Sequence, residues 1–288
     1  LSLAAGGSFV FWELHHRHPM LDVRLFRVAA FRLPALVITL GCFTVWGLLF
    51  LLPQYLEFVH HSSVLAVGIT LAFISVTWSL SAPLAPKLVL PLTGDRAGIA
   101  LALLVTAGGA LCFVAVGGGA TVPIVIVGLA VIGLGMGTAT TPATTLLVNA
   151  VPAEQAGVGS AMNDVTREFG TAFGIAVLGT VLTFRYAARL GAVAGLSSRQ
   201  AAAARDGIGN ALHVAGAVSG PVAAQVRAGA EAAFTSGFRL AVLVGAAVLV
   251  GLAALVWLQL PRGAGAPAAP PADEAAPEAR PHVLVRHR

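Results

Sequence analysis

Long apolar runs alternate with short polar connectors along almost the whole chain. The runs cover residues 33–52, 64–83, 98–116, 122–148, a stretch that ends at Phe184, and 232–260. Each approaches or exceeds the roughly 20 residues that an α-helix needs to cross a bilayer. None alternates with the period of two that marks a half-buried strand. The pattern therefore predicts an all-α polytopic membrane helix bundle, with about six full transmembrane helices plus a truncated first one. Residues 1–14 are apolar but too short to span, and they lack the basic start of a signal peptide. They are expected to be the end of a helix that begins before this sequence.

The connectors carry most of the charge. Residues 15–32 hold Arg17, Arg24, Arg27 and Arg32 and read as a basic cytoplasmic segment under the positive-inside bias. The connector with Lys87, Asp95 and Arg96 falls on the same side. The turn Gly-Gly-Gly after Val116 carries no charge and suits a tight antiparallel hairpin. Pro53 is expected to end the second run. Residues 185–231 are expected to form a long extracytoplasmic loop, part of it an amphipathic surface helix. Arg185 and Arg189, close to a span end, conflict with that side. Residues 261–288, rich in Pro and Ala, are expected to be a disordered cytoplasmic tail.

Composition sharpens the membrane reading. Hydrophobic residues make up 57% of the 288 and charged residues only 10%, where a soluble domain carries about 25% charged. Mean hydropathy is +0.88. The formal net charge of +5 fits cytoplasmic loops facing anionic lipid. No basic run is interleaved with aromatics, so nucleic acid is not an expected partner. Cys42 and Cys112 lie far apart within apolar runs and read as packing residues. His15, His16 and His18 lie next to one another on a connector with no Cys or second His pair nearby, so no metal site is expected.

The densest polar cluster near the apolar part is Asn163, Asp164, Arg167 and Glu168. Asn163 and Arg167 are four apart, and Asp164 and Arg167 three apart, so on a helix they share a face. They read either as an ion pair anchoring the helix at a membrane surface or as a gate latch. Glu57 reads either as a rim residue or as a proton or cation site at a vestibule mouth. Gly133 and Gly137, and again Gly170 and Gly174, are four apart, which lets helix backbones approach closely. Thr138, Thr140 and Thr141 precede Pro142, where threonines are expected to satisfy carbonyls freed at a kink. Ser75, Thr77, Ser79 and Ser81 stud the third run. No catalytic constellation is present: the acids are scattered and the histidines cluster in one connector.

Several motifs together resemble a known family. They are Phe50-Leu-Leu-Pro-Gln-Tyr-Leu56, Val67-Gly-Ile69, Val151-Pro-Ala-Glu-Gln-Ala-Gly157, Asn163 to Gly170, and Gly174-Ile-Ala-Val-Leu-Gly179. This series resembles the C-terminal half of major facilitator superfamily transporters and looks most like the fourteen-spanner drug:proton antiporter branch. The resemblance covers roughly residues 19–260. The chain departs from the family pattern in two places. Glu57 stands where the family often has Gln. The loop motif survives as Gly94-Asp95-Arg96-Ala-Gly98 but ends in Ile99 instead of arginine.

The resemblance implies a six-helix bundle over residues 33–260 that rocks against a second, N-terminal half by alternating access. It implies a proton gradient as energy source, no cofactor, and a small lipophilic or cationic substrate. Phe43, Trp46, Trp78, Thr140 and Thr141 are then candidate cavity residues. Asn163, Asp164, Arg167, Asp95 and Arg96 are candidate gate or ion-pair residues. The implied location is the plasma membrane, with the C-terminus cytoplasmic. The alternative is a non-transporting membrane scaffold or an inactive remnant of such a transporter.

Overall fold

Pairwise packing of long helices through small residues sets this architecture. The computed structural model describes residues 29–115, 121–151, 156–191 and 195–261, together with Ser8 and Trp12. The expected truncated helix, apart from those two residues, the histidines of the first connector and the tail beyond Pro261 lie outside the described residues. In chain order the helices are α1 (Ala29–Phe58), α2 (Val64–Leu84), α3 (Leu90–Leu111), α4 (Thr121–Asn149), α5 (Ala156–Arg189), α6 (Ser198–Asp206), α7 (Ile208–Ala217) and α8 (Pro221–Gln259).

Among the described residues, five continuous helical stretches are long and apolar enough to cross a membrane, one of them the 52-residue stretch Val64–Ala115. At about 1.5 Å per residue that stretch would be about 78 Å long, more than twice the hydrocarbon core. It is broken at Gly94, whose φ of 72° and ψ of 165° are not helical. A side chain there would be strained, so glycine permits the reversal. Pro83 and Pro91 flank a single π turn, Ala85–Val89, that itself contains Pro86, and all three withhold backbone donors from the same elbow. The stretch therefore makes two passes, α2 and α3. With α1, α4, α5 and the C-terminal part of α8, the described residues make six passes.

Helix ends differ from the sequence expectation in two places. Pro53 lies inside α1 and does not terminate it. The Gln54 side chain donates to the Phe50 carbonyl at 3.1 Å, adding a donor on the turn that the proline weakens. The stretch 185–231 is helical for most of its length. A capping box at Ser197 and Gln200 starts α6, and Gly207 separates α6 from α7. Gly220, with φ 68°, precedes Pro221 at the start of α8. The α7 residues Ile208, Ala211, Val214 and Ala215 are buried, so this helix packs on the bundle end through its apolar stripe. Tyr186 also donates to the Ala204 carbonyl at 2.8 Å, which pins the end of α5 to α6.

α1 is the central element and packs on α4, α5 and α8. Its seam with α5 is built on Gly170 and Gly174, where the backbone comes against Thr39 and Phe43. Thr39 donates to the Thr166 carbonyl across the same seam at 3.2 Å. α2 rests on α4 through Gly133 and Gly137, and Ser81 donates to the Gly133 carbonyl at 3.2 Å. Thr44 ties α1 to α8 at the Gly245 carbonyl, 3.3 Å away. Such hydroxyl bonds contribute about 0.6 kcal/mol each in a bilayer, so close backbone packing dominates. Two apolar clusters fill the interior. One, around Tyr55, Phe113 and Phe238, lies at the end where α1 finishes; the other, around Phe31, Leu147 and Val256, lies at the opposite end.

Candidate functional site

A cavity of about 620 Å³ opens between α1, α2 and α5. α1 and α2 scarcely touch, so their facing sides diverge and leave the cleft. α1 lines it with Trp46, Leu49 and Phe50, spaced i, i+3, i+4. α2 contributes Leu71, Ile74, Ser75, Trp78 and Ser79, spaced i, i+3, i+4, i+7, i+8. Each set is a single helical face. α5 adds Ile175 and the Arg167 side chain, the one charged group on the wall.

Trp46, Trp78 and Arg167 are therefore brought together, although they are far apart in sequence. Trp46 is 42% exposed and Phe50 is 49% exposed, on a wall that already carries an arginine and two serines. A helix face of this mixed character suits a solvated or ligand-filled space better than hydrocarbon. Leu49, Phe50, Ser75 and Ile175 were not among the sequence candidates. The signal for the first three was the three- and four-residue spacing around the two tryptophans.

Arg167 is half-buried. Its Nε is buried without a hydrogen-bond partner among the described residues. Asp164 is exposed and makes no ion pair with Arg167, although the two share a helix quadrant. The arginine turns into the cavity and the aspartate turns out, so the expected anchoring pair does not form. Asn163 accepts a hydrogen bond from Thr144 at 3.1 Å, linking α5 to α4. No other gate residue lines this cavity. Arg96 lies over the Trp257 ring at 4.9 Å, a cation–π contact joining the α2–α3 elbow to α8. Asp95 is at the same elbow, directly after Gly94. Glu57, near the end of α1, is partly exposed and lines none of the larger pockets.

The other cavity candidates are structural. Phe43 is buried in the α1–α5 seam, its ring 5.8 Å from that of Phe173. Thr140 is buried and donates to the Met136 carbonyl at 2.7 Å. Thr141 donates to the Gly137 carbonyl at 2.9 Å and reaches the Ala82 carbonyl of α2 at 3.3 Å. Thr138 bonds the Leu134 carbonyl at 2.8 Å. None of these hydroxyls goes to the Thr138 carbonyl, the acceptor that Pro142 frees, so the expected repair at the kink does not form. The α4 helix supplies the floor on which α2 rests and no wall of this cavity. Thr140→Val in the complete protein should lower its thermal midpoint by a few degrees, from about 0.6 kcal/mol of lost bonding, and leave transport rates unchanged. A transport assay beside a thermal melt checks this.

Comparison with known proteins adds an independent line. A family model described as Major Facilitator Superfamily matches residues 6–175. The multidrug efflux pump LfrA of Mycolicibacterium smegmatis is 32% identical over 267 residues, covering 89% of this chain and 51% of that protein. The multidrug resistance protein Stp of Mycobacterium tuberculosis is 32% identical over 268 residues, covering 88% and 49%. The methyl viologen resistance protein SmvA of Salmonella typhimurium is 27% identical over 260 residues, covering 88% and 51%. The chain thus spans about half the length of these curated relatives.

Proposed function

The chain belongs to the Major Facilitator Superfamily, and from that premise we propose that it forms one wall of a multidrug efflux antiporter that works by alternating access and is driven by protons. It is a multi-pass membrane protein whose relatives are named as drug efflux and resistance proteins. The observation that carries the proposal is the cavity between α1, α2 and α5, with two tryptophans, a phenylalanine and one arginine facing it. Broad, flat aromatic surface binds planar lipophilic compounds through area and stacking, without demanding one hydrogen-bond pattern. The remaining half of the transporter would close the open side of this cleft, place the proton-binding acid and complete the substrate site. In this reading the membrane is the plasma membrane and the C-terminus is cytoplasmic.

Accumulation of a fluorescent planar drug in cells carrying the complete transporter tests the assignment. Trp78→Ala removes a ring worth about 1 kcal/mol of stacking, so its apparent drug affinity should fall about fivefold while membrane expression is retained. Unchanged accumulation in both Trp78→Ala and Trp46→Ala would overturn the assignment of this cleft as the drug wall.

A further inference from the structure

A second cavity, of about 780 Å³, lies at the end of the bundle where α1 finishes. It is separate from the aromatic cleft and shares no residue with it. Its polar wall includes Arg185 at the end of α5 and Glu231, Ser236 and Arg239 on α8; Leu240 and Leu243 form the apolar side. Arg185 Nε donates to Ser236 Oγ at 3.2 Å, which fixes the guanidinium against the cavity. Glu231 Oε1 lies 3.4 Å from His61 Nε2 on the α1–α2 connector.

The level of this cavity follows from helix lengths. From Leu240 to the end of α8 there are about 20 residues, the length that crosses the hydrocarbon. Arg239 therefore stands at the start of the spanning part, at headgroup depth. Leu240 and Leu243 are 37% and 46% exposed and continue from the cavity down the outer side of α8. A polar pocket thus opens onto an apolar track at the membrane boundary, as a lipid head and chain require.

The charge is equally specific. Among the lining side chains, two guanidiniums against one carboxylate leave one positive charge. Burial, reinforced by neighbouring His61, holds His60 below the usual imidazole value, so near neutral pH it adds none. Tyr55 of α1 is the remaining titratable group on the wall, and His61, on the α1–α2 connector beside the cavity, faces Glu231 of α8. We propose that this cavity binds the phosphodiester of an anionic phospholipid, with Arg185 and Arg239 on the phosphate, Ser236 donating to it, and an acyl chain along Leu240 and Leu243. A phosphodiester carries a single negative charge and neutralises the pocket. The proposal does not depend on what the aromatic cleft transports.

The test uses the complete transporter purified in detergent, with phosphatidylglycerol, phosphatidylcholine or soluble glycerol 3-phosphate as probes. The readouts are retained lipid by native mass spectrometry and the ligand-induced shift of the melting temperature. Phosphatidylglycerol should be retained and should stabilise. Arg239→Gln and Arg185→Gln should each weaken its binding about fivefold. Glu231→Gln, which raises the pocket's positive charge, should strengthen it, an effect that misfolding would not produce. Arg199→Gln on the exposed face of α6 should change nothing. Equal retention of phosphatidylcholine, equal stabilisation by glycerol 3-phosphate, or weaker binding in Glu231→Gln would overturn the proposal.

Discussion

Gly174→Leu should leave almost no correctly folded protein. The carbonyl of Phe43 on α1 lies where a Cβ at Gly174 would project, and the Phe43 carbonyl carbon is 2.7 Å from that point. Neither helix can yield there, because the obstructing atoms are main chain. A side chain would push α1 and α5 apart and open the seam that also holds Gly170 against Thr39. Overpacking at a rigid contact costs about 1–3 kcal/mol for a few added atoms. A whole leucine at this crossing should exceed that range, because α1 is also the support for α4 and α8. Even Gly174→Ala should destabilise, since Cβ itself makes the clash. Gly179, five residues along the same helix, has nothing within 4 Å. Gly179→Ala should be neutral or slightly stabilising, by up to about 1 kcal/mol from helix propensity. The monodisperse fraction after detergent extraction and the thermal midpoint of the complete protein separate these outcomes. A folded Gly174→Leu protein would show that the α1–α5 seam is less rigid than its backbone contacts imply.

The contrast between Gly174 and Gly179 shows what the sequence could and could not reveal. Hydrophobic run length located the six passes, because a bilayer imposes one length on every span. Four-residue spacing of small residues singled out Gly133, Gly137, Gly170 and Gly174, but it did not say which helix each would meet. That depends on how helices rotate about their axes, which pairwise packing decides. The same gap affects the cavity. Trp46, Trp78 and Arg167 line it, whereas Phe43, Thr140 and Thr141, equally plausible by type, point into seams. A threonine in an apolar helix satisfies its hydroxyl on its own backbone at almost any rotation, so its presence carries little information about a cavity. The elbow at Gly94 and the helices of 198–217 were hidden for another reason. The elbow follows from a positive φ inside a segment that read as a connector, and the two helices from a capping box and a Gly207 break that fix where helix forms in a stretch expected to hold only one amphipathic helix.

Arg167→Leu should reduce drug extrusion by about tenfold or more without lowering the thermal midpoint. A guanidinium within a transmembrane segment costs about 2.5–3.5 kcal/mol to place there. Nothing among the described residues repays that cost: Arg167 has no ion pair, and its Nε is buried without a partner. Removing it should therefore leave this half at least as stable. The charge is worth keeping only if something meets it during the proposed transport cycle; a standing carboxylate partner elsewhere in the complete transporter would make Arg167→Leu lower the midpoint, so an unchanged midpoint commits to a group on the substrate. If the transporter works by the proposed alternating access, that pairing would change between its states, and a difference of only about 1.4 kcal/mol alters a rate tenfold. Arg167→Lys, which keeps the charge but not the planar fork, should retain an intermediate rate. Opposite movements of the two readouts are the signature, because a merely structural arginine would lower the melting temperature and transport together. Measuring both on the same purified variants decides the matter, and unchanged drug accumulation in Arg167→Leu would remove this residue from the transport cycle.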